Sequence, residues 1–243
     1  MVEKKIKDIV AKVLTKLSSV EDKYILKALY IVGPSGSGKS TLKKKLLKDL
    51  GLSDLVYNKN ADDFLELMAK NKGISLTTES DEEEKLRLKT IKMIKDQSVR
   101  NINALRPMVI DIASTAVVLN EGEQLQKYGY DVAVLFIDVT KEQAVDRNNR
   151  RKERKIPERV VKLIWNRAYG DKDKIKEKYK DNFRSVDNTI SFDKNPDKKS
   201  ITQFVKDFFT KPILNSEGKK IIKELRDKNK KTLKDIREVK IVS

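Results

Sequence analysis

Cysteine and histidine are both absent from the 243 residues. Without cysteine there are no disulfides and no thiolate metal sites, a composition compatible with a reducing cytoplasm. Without histidine, any general base has to be a carboxylate or, less favourably, a lysine or tyrosine, and zinc chemistry of the His-rich kind is excluded. No apolar run approaches the roughly eighteen residues of a transmembrane helix, so no membrane span is expected. Met1 to Leu17 carries five lysines without a continuous apolar centre, which does not fit a secretory signal. Aromatic residues make up only 6% of the chain, so base stacking gets little support. The hydrophobic share of 38% limits the core to a modest one.

Charge is what the chain has in excess. The formal net charge is +17, and 37% of the residues are charged. The basic surplus falls in residues 1–50, 141–184 and 211–243, whereas 51–140 is net acidic. A surplus of this size suits a polyanionic partner such as nucleic acid. Lysine far outnumbers arginine, which equally suits solvated helix surfaces, and both readings stand.

The strongest local signal is Gly33-Pro34-Ser35-Gly36-Ser37-Gly38-Lys39-Ser40, followed by Thr41. It fits the phosphate-loop pattern G-x-x-x-x-G-K-[ST] at every defined position. Leu26 to Val32 before it reads as a buried strand, and Leu42, Leu46, Leu47 and Leu50 after it fall at helical spacing, with Gly51 as a stop. Strand, glycine loop and helix start together make an anion site. Backbone N–H groups point inward, the helix N-terminus adds partial positive charge and Lys39 adds a full one. The expectation is a bound nucleoside triphosphate.

Further along, residues 2–17 set Ile6, Val10, Val13, Leu14 and Leu17 on one face of an amphipathic helix. Asp54 to Tyr57 reads as a second strand. Asp62 and Asp63 follow at a helix start that either could cap; in a parallel sheet, a carboxylate there would also face the ligand crevice. Ser80 to Glu83 is a capping box opening a helix that reaches about Asn103. Pro107 to Ile112 is an apolar strand interrupted by Asp111, a position that in phosphate-loop proteins orients magnesium or its waters. Glu121 to Tyr128 reads as a helix, Asp131 to Val139 as the clearest strand, and Thr140 to Gln143 as another capping box. In the helix it opens, Arg147, Arg150, Arg151 and Arg154 recur at i, i+3, i+4 and i+7, a guanidinium row suited to bidentate phosphate contact. Pro157 restarts a helix whose stripe Val160, Val161, Ile164, Trp165 and Ala168 faces the core. Phe183 to Val186 is expected as a fifth strand ending at Asp187-Asn188, and Ser200 caps a helix with Phe204, Val205, Phe208 and Phe209. The lysine-rich tail from Ser216 is helical in pattern and either docks on the core or forms a mobile basic arm.

This alternation argues for an α/β fold with a doubly wound, mostly parallel five-stranded sheet and extra helices at each end. The expected domain spans 1–210, including an N-terminal helix within 1–24 and a lid region at 140–170, followed by the basic tail 211–243. The phosphate loop, then Asn60-Ala61-Asp62-Asp63, then Gly129-Tyr130-Asp131 through the Arg147–Pro157 segment resemble the zeta-toxin and polynucleotide-kinase-like family of small kinases, phage-encoded members above all. The similarity covers roughly residues 25–190. One departure stands out: members often follow the third-strand aspartate with a Gly-Thr-Gly turn, whereas here Asp111 precedes Ile112-Ala113-Ser114-Thr115.

The resemblance implies transfer of the γ-phosphoryl group of ATP to a hydroxyl. It implies an aspartate after strand two that activates that hydroxyl, by position Asp62 with Asp63 the alternative. It also implies a lid of Arg147, Arg150, Arg151 and Arg154 over the phosphates. On that reading Lys39 holds the β- and γ-phosphates, with Gly33, Ser35, Gly36, Ser37, Gly38 and Thr41 around them. Ser40 ligates Mg²⁺ and Asp111 orients its waters. GTP is not the expected nucleotide, because Asn58-Lys59-Asn60-Ala61 lacks the aspartate of the guanine-reading N-K-x-D pattern. The acceptor is left open between a polynucleotide 5′-hydroxyl end, which the basic charge favours, and a nucleotide-type small molecule such as the nucleotide sugar of zeta-like members. The alternative of another class is a non-kinase NTPase or nucleic-acid-binding module that uses ATP as a switch.

Overall fold

The structure is a computed structural model that describes residues 24–74, 76, 81–151 and 155–238. Five strands form one parallel sheet: β1 (Lys27–Val32), β2 (Tyr57–Lys59), β3 (Met108–Ile112), β4 (Asp131–Asp138) and β5 (Phe183–Asp187), in the order β2-β3-β1-β4-β5. β1 is buried along its whole length and β4 at all but its last residue. Near-continuous apolar runs of this kind need cover on both faces, which only the middle of a helix-flanked sheet supplies.

The helices of the first half are α1 (Lys39–Asp49), α2 (Ala61–Lys72), α3 (Asp81–Asn103) and α4 (Thr115–Lys127). Those of the second half are α5 (Lys141–Asn149), α6 (Glu158–Gly170), α7 (Lys172–Tyr179), α8 (Lys198–Thr210) and α9 (Ser216–Glu238). The period-two alternation of β1 sorts its residues between two cores. Leu29 and Ile31 join Leu42 and Leu46 of α1 and Val205 and Phe209 of α8 on one face. Ala28, Tyr30 and Val32 join Val118 and Leu125 of α4, Ala168 of α6 and Ile175 of α7 on the other. The hairpin α2–α3 has a separate small cluster in which only Leu65, Ala69 and Leu86 are buried.

The tail from Ser216 docks at its start. Asp131 at the head of β4 is buried against Lys27 at 2.7 Å and accepts the backbone N–H groups of Leu214 and Asn215 at 2.9 and 2.8 Å. The Asn215 amide donates to the carbonyls of Gln126 and Tyr130 at 2.8 and 3.2 Å. Gly129 and Gly218 let the two backbones meet, since a Cβ on Gly129 would lie 2.9 Å from the Gly218 backbone. Ile213 and Ile222 then seat in the α4-side core.

Several boundaries differ from the sequence reading, each for a local reason. The second strand is Tyr57–Lys59 rather than Asp54–Tyr57. Leu52 and Val56 are drawn into the core under α1, and pairing with β3 starts only where the Tyr57 N–H reaches the Pro107 carbonyl at 2.8 Å. Neither Asp62 nor Asp63 caps α2. The cap is Asn60, whose side chain accepts the Asp62 N–H at 3.0 Å. The arginine helix α5 stops at Asn149, so Arg150 and Arg151 lie beyond it and the helical row is broken. The cause is Asn148, buried and bonded in both directions to the Ile156 backbone at 2.7 and 3.2 Å, which closes the turn before Pro157. α8 starts at Lys198 behind Asp197, not at Ser200, because Asn195 accepts the Asp197 N–H at 2.8 Å. The expected helix at 2–17, the Ser80 cap and Arg154 lie outside the described residues.

Candidate active site

The phosphate loop leaves the C-terminal end of β1 and enters α1, whose N-cap is Gly38 in the left-handed region at φ 86°. Gly36 and Gly38 are required by contact as well as by conformation. A Cβ on Gly38 would lie 2.5 Å from the Asn188 amide nitrogen, and one on Gly36, at φ 81°, would run into the Ala144 carbonyl. The loop is thus wedged between the first turns of α5 and the residue after β5. The Asn188 amide fixes it further by donating to the Ser37 carbonyl at 2.6 Å. Sequence reasoning placed Asn188 at the strand end without a role.

The Lys39 ammonium donates to the carbonyls of Gly33 and Pro34 at 2.9 and 3.0 Å, which holds it across the mouth of the loop. Burial pushes its pKa below the ordinary lysine value. Asp111 and Asp62 act in the opposite sense, while Arg151 and Lys43 reinforce the lowering. Asp111, Asp62 and Arg151 are therefore all electrostatic neighbours of the loop lysine, although they come from three separate segments.

Asp111 sits beside the loop on β3. It accepts the Ser40 hydroxyl at 2.7 Å and, through the same oxygen, the Asn60 amide at 3.4 Å, and it lies 3.3 Å from the Lys43 ammonium. Among the described residues no group of three carboxylate, histidine or cysteine side chains could cage a metal. One hydroxyl and one carboxylate, both hard oxygen donors, suit Mg²⁺, which keeps several waters and takes its other ligands from phosphate. Asp62 and Asp63 both stand exposed in the first turn of α2, which begins directly after β2. Asp63 leans toward Lys43, with its carboxylate 3.8 Å from the ammonium. Lys43 was missed because a lysine in a Lys-Lys-Lys run reads as solvated; only packing shows it to be fully buried.

The arginines separate. Arg147 donates to the Asn188 carbonyl at 2.7 Å and stands over Gly38. Arg151 lies close enough to Lys39 to affect its protonation. Arg150 pairs with Asp146 on the surface, with 78% of its side chain exposed, and is not brought to the loop. Next to the loop a cavity of about 300 Å³ opens between Thr41, Arg147, Asn188, Ser191 and Phe192. Ser114 starts α4 without a side-chain cap bond, and Thr115 is committed to Asp171 at 2.7 Å. Trp165 is structural: its indole stacks on Tyr169 with ring centroids 4.0 Å apart and donates to the Val139 carbonyl at 2.9 Å.

No curated protein matches the sequence. Among solved structures, the chain is similar to one from the PezAT chromosomal toxin-antitoxin system of Streptococcus pneumoniae, with 16% identity, 96% of each chain covered and a TM-score of 0.54. It is also similar to a candidate kinase from Chloroflexus aurantiacus, with 16% identity, 77% of this chain and 98% of that one covered, and a TM-score of 0.50. A third match is a chain of the Pnkp1/Rnl/Hen1 RNA repair complex, with 20% identity, 62% of this chain covered and a TM-score of 0.48; the present chain spans 46% of that one. At these identities the likeness is one of fold. A family model described as AAA domain matches residues 29–169, from the middle of β1 to the end of α6. With more than half of its length matched, the chain belongs to that AAA domain family and carries the fold of the P-loop kinases.

Proposed function

We propose that this protein is a magnesium-dependent phosphotransferase that moves the γ-phosphoryl group of ATP to a hydroxyl acceptor. The observation that carries the reading is the Ser40–Asp111 hydrogen bond at 2.7 Å directly beside Lys39. A loop hydroxyl paired with a strand carboxylate is the oxygen set that a phosphate-bound Mg²⁺ requires. When bound, that ion supplies charge neutralisation at the β- and γ-phosphates.

The protein's own groups do the rest by position and charge. The loop N–H groups and Lys39 hold the phosphate chain. Arg147, above the cavity at Thr41, Asn188 and Phe192, flanks the nucleoside, and Arg151 is available to the transferring group. Asp62, across from Lys39, accepts the proton of the attacking hydroxyl, while Asp63 is turned toward Lys43. Arg150 has no part in this scheme, and Arg154 remains a candidate for the lid.

The acceptor is a 5′-hydroxyl polynucleotide end or a nucleotide-type small molecule. One observation favours the small molecule: in the α2–α3 hairpin, which carries Asp62, acidic and basic residues nearly balance, so the hairpin itself offers no basic surplus to a polyanion. The test is incubation with labelled ATP and a panel of 5′-hydroxyl DNA, 5′-hydroxyl RNA, nucleosides and nucleotide sugars. A labelled acceptor of one class fixes the substrate. Phosphate release without any labelled acceptor would overturn the kinase reading in favour of an NTPase that uses nucleotide as a switch. A steep loss of nucleic-acid binding with salt would support the polynucleotide.

A further inference from the structure

Lys43 has no task in the scheme above, yet its position is costly. It lies one turn after Lys39 and Ser40 on the same face of α1 and is fully buried. Lysine is almost never fully buried unless paired, because its charge loses hydration. Its ammonium makes no hydrogen bond among the described residues. Its charge is met instead by two carboxylates, Asp111 at 3.3 Å and Asp63 at 3.8 Å.

Those carboxylates belong to differently packed regions. Asp111 is on β3, inside the sheet, with its side chain 5% exposed. Asp63 is in the first turn of α2, whose packing rests on a small cluster with α3. We propose that Lys43 is a positioning residue that clasps the first turn of α2 to the phosphate-loop helix through Asp63, and thereby sets where Asp62 stands relative to Lys39. Lys43 is closed off from the cleft, so it acts on the acceptor only through its neighbours. Asp62 and Asp63 are adjacent on one helix, and anchoring one fixes the direction of the other. Asn60 ties the same turn to Asp111 from the other side, by capping α2 while its amide reaches the carboxylate. The clasp thus joins the half of the site that holds the donor to the half that receives the acceptor, and it rests on the reading of Asp62 as the base.

The test uses Lys43→Met, which keeps the apolar stem and removes the charge, and Asp63→Asn, separately and together. Hydrogen exchange of the α2 amides is measured against those of β1 and β4, alongside kcat and KM for ATP and acceptor. The clasp predicts faster exchange in the first turn of α2 with β1 and β4 unchanged. It also predicts a fall in kcat of about 10- to 100-fold, the size expected for a displaced catalytic group, with KM for ATP held in Asp63→Asn, which leaves the Lys43–Asp111 pair in place. The double variant is no worse than the more damaging single one, because both remove the same contact. Unchanged exchange in α2, or losses that simply add, would overturn it. If Lys43→Met does not fold, Asp63→Asn, at a partly exposed side chain, gives the same readout. If the unaltered protein phosphorylates no acceptor, the kinase reading falls while hydrogen exchange still decides the clasp.

Discussion

The phosphate loop leaves the central strand of the sheet, and α2, with its pair of aspartates, leaves the edge strand beside β3. β1 is buried along six residues and pairs on both sides, whereas β2 is three residues long and pairs on one. The loop is held by Ala144 and Asn188 and is flanked by β1 and α1, whose apolar residues sit in the main cores, whereas α2 is held by a satellite cluster, its Asn60 cap and the charge of Lys43. A phosphate cradle binds by rigid backbone N–H groups and loses affinity if they move, so it belongs where packing is densest. A carboxylate that must meet an incoming substrate gains from an element that can shift, and such elements come from the less stable parts of a fold.

The comparison can be broken most directly at the cradle. Gly36→Ala forces a Cβ against the Ala144 carbonyl at a left-handed φ. Nucleotide binding should be lost in a calorimetric titration, and transfer with it. Lys39→Met should leave the fold intact and lower kcat by on the order of 10²–10³-fold, the cost of removing one preorganised charge from a phosphate site. Residual activity near that of the unaltered protein would deny Lys39 its role.

On the α2 side, Asp62→Asn should separate binding from chemistry. ATP affinity is expected to hold while transfer falls about 10²–10⁴-fold, the usual contribution of a general base. Transfer at the original rate in the labelled-ATP assay would move the base to Asp63 or elsewhere.

A smaller effect sharpens the contrast in stability. Leu29→Ala in the sheet core and Leu65→Ala in the hairpin cluster remove similar side chains, both nearly fully buried. The first should cost about 2–5 kcal/mol in denaturant unfolding. The second should cost less globally and appear mainly as faster hydrogen exchange across α2 and α3. Equal global losses would mean that the hairpin is as tightly coupled to the sheet as β1 is. The smallest effect is reserved for Arg150→Ala. Its exposed pair with Asp146 is the kind worth little in water, so neither activity nor melting temperature should move measurably.

Much of the phosphate-loop side of the site was legible in the chain. The glycine pattern needs no tertiary information, because phosphate approach and helix start are fixed within nine residues. Strands β1, β3 and β4 were found because buried parallel strands are continuous apolar runs, and the edge strand β5 because Phe183 and Val186 stand out of a polar stretch. The edge strand was misplaced because β2 is too short and half-exposed to leave such a run, and Leu52 and Val56 serve α1 instead. The arginine row was read as one helical face because periodicity does not show where a helix stops. Asn148 stops it by bonding to Ile156, eight residues away.

The sequence by itself determined a phosphate-loop pattern between strand and helix and a parallel α/β sheet, since those follow from local spacing, and it excluded an imidazole base, since the chain has no histidine. Tertiary structure alone decided that Asn188 props the loop, that Asn60 frees both aspartates from capping, that Arg150 turns away, and that a lysine in a basic run is buried between Asp111 and Asp63. The physical reason is the same in each case. A backbone conformation is written in neighbouring residues, but the burial of a charge and the partner that meets it depend on segments brought together from far along the chain.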